Sequence, residues 1–316
     1  MHRLWERTLR LRSAYRAAEE VAQLGLHRYP PHEDDQRVQA AALWISVFDS
    51  YLYLGEYDKC WDALGQAEKL LVGVRSVPVE YHRAGLAMNR GRLAFLAGKV
   101  SDAQMAFEDA VAGFKASDAD REQAIALIQL GRLKAPLGEM KEALSLHEEA
   151  LALIEKDDDP REWAIALGDI AHLKAQLGDV PEALRLHYER LDIYERLGEV
   201  RERAVTLGAI ARLMAGLGEV GTALNLYGQA LTVYAEVGDA RERAVALGDV
   251  GRILAQMGRG QEARRLQEER LAVNRRLGDA DGIGAALYDL AVLDLQARQP
   301  QQAMSRLVES WGLFQQ

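Results

Sequence analysis

A fixed step of 40 residues limits what this chain can fold into. Residues 161–200 read REWAIALGDIAHLKAQLGDVPEALRLHYERLDIYERLGEV, residues 201–240 read RERAVTLGAIARLMAGLGEVGTALNLYGQALTVYAEVGDA, and residues 241–280 read RERAVALGDVGRILAQMGRGQEARRLQEERLAVNRRLGDA, with no gap between copies. A period of this size marks one supersecondary unit used repeatedly, each copy burying its apolar face against the next. The marks extend beyond the three best copies. Gly98, Gly138, Gly178, Gly218 and Gly258 keep the step, and so do Ala103, Ala143, Ala183, Ala223, Ala263 and Ala303.

Composition narrows the reading. The 316 residues are 49% hydrophobic but only 7% aromatic, so Ala, Leu and Gly carry the apolar load, which suits closely packed helices. The net charge of −9 makes the chain a poor candidate for nucleic acid or an anionic membrane. A single cysteine excludes an internal disulfide and a cysteine-based metal site. There is no secretory signal and no run of 18 apolar residues, so the expected compartment is the cytoplasm.

In chain order, residues 1–35 are expected to form an N-terminal helix, as a cap or an incomplete leading repeat. Leu4, Leu11, Tyr15, Ala18, Val21 and Leu24 make its apolar stripe, and Pro30 and Pro31 end it. Residues 36–80 form an irregular first hairpin about Gly55, and residues 81–316 form six hairpins in phase. Asp239 and Glu242 have the spacing of a helix N-cap and its third residue, as do Asp159 and Glu162, with Pro160 in the first turn. The acidic loops are therefore read as caps and not as metal sites.

These residues resemble the tetratricopeptide repeat. Counting from Ala164, position 4 is Leu167, position 7 Ile170, position 8 Ala171, position 15 Gly178 and position 20 Ala183. Leu207, Ile210, Ala211, Gly218 and Ala223 follow in the next copy, then Leu247, Val250, Gly251, Gly258 and Ala263. Small residues at positions 8 and 20 let two helices approach, and the glycine ends the first. Position 11 departs from the common form, with Lys134, Lys174, Met214 or Leu254 in place of tyrosine. Units of 40 residues are similar to those of kinesin light chains, of Leu-Gly-Asn-type adaptors and of bacterial regulatory proteins. The resemblance implies an all-α fold, a right-handed superhelical α-solenoid of antiparallel helix pairs. It also implies a concave groove lined by the first helices.

On that pattern, position 9 faces the groove and reads Arg92, Arg132, His172, Arg212 and Arg252. Position 6 reads Asn89, Gln129, Asp169, Ala209, Asp249 and Asp289, and position 5 is Gly168, Gly208 and Gly248 in the central copies. A glycine inside a helix costs about 1 kcal/mol relative to alanine. Three in register therefore need a reason, either tight helix contact or a floor for a partner's backbone. The arginine row likewise has two readings. It could bind a ligand, or it could form an internal ladder, since Asp249 and Arg252, like Asp169 and His172, stand three apart on one helix.

Catalysis finds no support in the residues. Cys60 occupies the position of Ala103 and Ala143 and reads as a small core residue. The seven histidines form no H-E-x-x-H motif, and His147 and His187 share a repeat position with Tyr227 and Gln267. Gly258-Arg259-Gly260 is a hairpin turn. No catalytic residue, metal or cofactor is expected. The chain reads as a protein-interaction scaffold holding a protein or peptide partner in the groove. Two alternatives are a bacterial sensor of a signalling peptide and the interaction part of a larger effector. Trp311 and Phe314 offer a second, end-docking contact for self-association, or pack back on the last hairpin.

Overall fold

In the computed structural model, the described residues are 33–75, 78–156 and 158–314, with a few positions between 16 and 31. The expected N-terminal helix lies almost wholly outside them. Residues 16, 17, 20, 23 and 24 are helical, and Leu24, expected on the apolar stripe, is exposed.

The chain divides into two compact units, Met1–Asp169 and Ile170–Gln316. The first holds α1 (Asp34–Leu54), α2 (Tyr57–Leu71), α3 (Pro78–Leu96), α4 (Val100–Ala116), α5 (Asp120–Lys134) and α6 (Met140–Leu153). Helix α7 (Pro160–Gln176) crosses the division. The second unit continues with α8 (Val180–Leu197), α9 (Val200–Gly216), α10 (Val220–Val237), α11 (Ala240–Gln256), α12 (Gly260–Leu277), α13 (Ala280–Gln296) and α14 (Pro300–Phe314). No strand occurs among the described residues. The fold is an all-α repeat solenoid. Within the second unit α9 packs on α10, α11 on α12 and α13 on α14, and the first helices α9, α11 and α13 also touch in succession.

Local sequence sets the boundaries. Gly98, Gly138, Gly178, Gly218 and Gly258 have φ between 69° and 89°, the left-handed conformation that ends a first helix without a Cβ clash. Arg298 holds the same turn position in the last hairpin at φ 59°. The side chain of Asp239 accepts the backbone N–H of Glu242 at 3.1 Å, and Asp179 and Asp279 cap α8 and α13 in the same way. Asp159, before α7, accepts Arg121 Nε at 2.7 Å.

The core repeats with the sequence. Ala103, Ala143, Ala183, Ala223, Ala263 and Ala303 are all buried, as are Leu167, Leu207 and Leu247. Leu226 and Leu266 are only half-buried, because the next residue along each helix points at the partner helix. That next position is Phe107, His147, His187, Tyr227 or Gln267, all buried. It faces position 8 of the preceding helix, which is glycine or alanine in every copy. An added Cβ at Gly91 would lie 2.6 Å from the Phe107 ring, at Gly131 2.8 Å from the His147 ring, and at Gly251 2.6 Å from the Gln267 amide.

Candidate partner-binding surface

The position 9 arginines are held by carboxylates from the next repeat. In the first unit Arg132 Nε donates to Asp169 Oδ2 at 2.8 Å. In the second, Arg212 Nη2 reaches Asp249 Oδ2 at 2.9 Å and Arg252 Nη1 reaches Asp289 Oδ2 at 3.0 Å. The partners stand 37 residues apart, one repeat less the three positions between the two slots. Adjacent first helices lie side by side, so position 9 of one helix meets position 6 of its neighbour. The expected contact within one helix, Asp249 with Arg252, is present as well. The His172 ring bonds to Gln176 at 2.9 Å. Arg92 belongs to the irregular first step and donates to Asp49 and Asn89, each at 3.1 Å.

Asp249 is the most enclosed of these carboxylates, with 9% of its side chain exposed. It accepts Tyr227 Oη at 2.8 Å in addition to both arginines. Burial and this carboxylate push the Tyr227 phenol well above its ordinary pKa, so it remains a donor. Asp289 is shared between Arg252 and the enclosed Arg270, whose Nη1 lies 2.9 Å away. The ladder is thus built into the packing. Its guanidiniums nevertheless remain open to solvent, with Arg132, Arg212 and Arg252 side chains 45%, 58% and 49% exposed.

The position 5 glycines differ from one another. Gly248 is buried, and a Cβ there would lie 2.9 Å from the Arg270 guanidinium, while its carbonyl accepts Gln267 Nε2 at 3.1 Å. Tight helix contact explains it. Gly168 is buried as well. At Gly208 the nearest atom to an added Cβ is Tyr234 Oη at 3.6 Å, an ordinary contact. Gly208 opens on a cleft of about 130 Å³ between α9, α10 and α11, lined also by Ala209, Arg212, Tyr234, Glu242 and Asp249. The ladder is interrupted here. His172 stands 37 residues before Ala209, a histidine and an alanine where the other rungs have arginine and aspartate. Gln129, at position 6 in the first unit, is half-buried. The roles of Tyr227, Tyr234 and Glu242 were not visible in the sequence, although the shared position of His147, His187, Tyr227 and Gln267 marked an unusual slot.

The other polar candidates are enclosed. Cys60 is fully buried, and burial pushes its thiol up to about 11. Burial also holds the His147 and His187 imidazoles below their ordinary pKa. Among the described residues no group of His, Cys, Asp and Glu could hold a metal, and no helix is long and apolar enough to cross a membrane. Trp311 stands 66% exposed, and the Phe314 side chain lies outside the described residues.

No curated protein matches the chain by sequence. Three solved structures have a similar fold. The apo form of RapI has a TM-score of 0.69 at 13% identity, over 87% of this chain and 97% of its own. A Rap protein complexed with Competence and Sporulation Factor has a TM-score of 0.67 at 13% identity, over 99% and 96%. A signal transduction ATPase with numerous domains and a tetratricopeptide repeat sensor, from Pyrococcus horikoshii, has a TM-score of 0.69 at 12% identity, over 98% of this chain but 47% of its own. The tetratricopeptide repeat family model matches residues 164–236 and 242–315, in phase with the hairpins described above. Residues 164–236 and 242–315 of the chain are tetratricopeptide repeats.

Proposed function

We propose that the chain is a non-catalytic, cytoplasmic interaction scaffold that takes a segment of a protein or peptide partner along its first helices. The observation that carries this reading is the state of Arg132, Arg212 and Arg252. Each is fixed by a carboxylate yet about half exposed, so its direction is set before a partner arrives. A guanidinium has five N–H donors, and the ladder occupies only some of them. The rest can meet backbone carbonyls or carboxylates of a partner, with less side-chain entropy lost than from a mobile arginine. His172, Gln129, Asp169, Asp289 and Arg92 extend the polar surface within their own units. The half-buried alanines Ala135, Ala175, Ala215 and Ala255 leave room beside it.

The test is selection of a displayed random dodecapeptide library against the wild-type chain, with Ala209→Trp as the counter-screen. Ala209 is half-buried on the first-helix face and makes no ladder contact, so added bulk blocks the surface without breaking a rung. Enriched peptides that lose at least tenfold in affinity to the variant, at unchanged helicity, support the reading. Failure to enrich, or binding that ignores the variant, contradicts it.

A second reading, a sensor of a signalling peptide, draws support from the Rap protein complexed with Competence and Sporulation Factor. The Pyrococcus protein gives precedent for a sensor array inside a longer chain. A ligand-dependent change in radius of gyration would favour a sensor over a static scaffold.

A further inference from the structure

Glu242 lacks the partner that its repeat position otherwise has. At the same position, Glu122 accepts the Tyr81 hydroxyl at 3.2 Å, Glu162 lies 3.8 Å from Arg121, and Glu202 lies 2.7 Å from Arg201. The Glu242 carboxylate makes no hydrogen bond or ion pair with any described residue, although it is half-buried in the wall of the Gly208 cleft. The nearby cations are engaged elsewhere: Arg201 by Asp239 and Glu202, Arg243 by Glu269, and Arg212 by Asp249. Partial burial and the neighbouring Asp239 raise the Glu242 pKa, and Arg201 and Arg212, both bonded elsewhere, offset that only in part.

The rest of the cleft defines what could fill it. Tyr234 turns its hydroxyl toward Gly208 and gives it no partner among the described residues, so it can accept a further hydrogen bond. Asp249 is already held by Arg212 and Arg252, so the charge left without a partner in the lining is that of Glu242, and it favours a cation. At about 130 Å³ the cleft falls well below the ~300–1,000 Å³ of small-molecule sites and suits one side-chain head. Ala209, in place of the aspartate of the other rungs, leaves the mouth open.

We infer that the Gly208 cleft is a specificity subsite for an arginine side chain of the bound segment, its guanidinium paired with Glu242 and hydrogen-bonded to Tyr234 Oη. A planar fork reaches both groups at once. The inference rests on the reading that a segment lies along the first helices, and it names one residue of that segment.

The test titrates N-acetyl-arginine N-methylamide into the full chain labelled with ¹³C on tyrosine rings and alanine methyls. The neutral isostere N-acetyl-citrulline N-methylamide is the control. The expected result is saturable shifts at Tyr234, Ala209 and Ala246 with arginine and none with citrulline. Glu242→Gln should weaken the arginine effect at least tenfold, and Gly208→Leu should abolish it by filling the cleft. Tyr194, buried elsewhere in the second unit, reports whether each variant is folded. Equal response to the two probes, no saturable shift in the wild type, or undiminished binding by folded Glu242→Gln overturns the subsite. Peptides selected from the library without an arginine preference would do the same and leave the scaffold reading intact. Loss of all library binders would remove that reading instead.

Discussion

Arg212 and Asp249 lie 37 residues apart in the chain and 2.9 Å apart in space, each on the first helix of its own repeat. The pair ties neighbouring repeats together and also fixes a charged group on the face where a partner is proposed to bind. Such a pair cannot be removed for binding studies without touching the fold. Asp249 is held by Arg212, Arg252 and Tyr227 together, and Arg252 keeps Asp289, so Asp249→Ala leaves the Arg212 guanidinium and the buried Tyr227 phenol unpaired. A loss of about 1–3 kcal/mol is expected, chiefly from the orphaned phenol, since the guanidinium stays open to water. Arg132→Ala breaks a more open pair with Asp169 and should cost about 0.2–1 kcal/mol. Urea unfolding of the two variants checks the contrast, and equal costs would contradict it.

Two glycines inside first helices should respond oppositely to alanine. Gly131→Ala drives a methyl against the buried His147 ring and should destabilise by about 1–3 kcal/mol. Gly208→Ala meets only Tyr234 Oη at 3.6 Å and should stabilise by up to about 1 kcal/mol through helix propensity. Thermal unfolding of both variants reads the signs.

The imidazole of His187 titrates at about 4 in the folded chain, held down chiefly by burial and further by Arg190 and His172. The unfolded chain takes its proton near pH 6.5. Above that pH both states are neutral and the histidine contributes no pH dependence. As pH falls from 6.5 toward 4 the unfolded state gains the proton first, and about 3 kcal/mol of stability is lost. His187→Gln adopts the residue of the equivalent position 267 and should flatten this part of the profile. Urea midpoints at pH 7 and pH 4.5 for wild type and variant provide the check.

The last hairpin turns at Arg298, with φ of 59°, where the five preceding turns use glycine. A side chain in the left-handed region costs about 1–2 kcal/mol. Arg298→Gly should therefore stabilise by about 1 kcal/mol, less than the full strain because glycine is freer when unfolded. Slower hydrogen exchange in α13 and α14 would report it.

Much of the fold was legible because a repeat states its grammar several times. The glycine turns and the alanine core recur at the 40-residue step, so one reading served nearly every copy, while among the described residues the aspartate caps on first helices are those of Asp239 and Asp279. The rows Arg132, Arg212, Arg252 and Asp169, Asp249, Asp289 were visible too. Their bonding was not, because helical spacing predicts partners three or four residues away, and position 9 meets position 6 of the next helix only after stacking. The slot of His147, His187, Tyr227 and Gln267 was visible as a shared position, but its inward direction was not, for a related reason. Leu226 and Leu266 look like the core residues of their helices, whereas the side chain that reaches the facing helix is the next one along. The Glu242 subsite could not be read at all, since a missing partner is a property of the packed structure.

Site-directed photo-crosslinking in the organism's own cells tests the central claim most directly. p-Benzoylphenylalanine would be placed at Ala209 on first helix α9, at exposed Gln229 on second helix α10, and at exposed Trp311 near the end of the array. The scaffold reading predicts a discrete adduct from position 209, competed by a selected library peptide, and none from 229. An adduct from 229 or 311 alone, or none from 209 in folded protein, would contradict it.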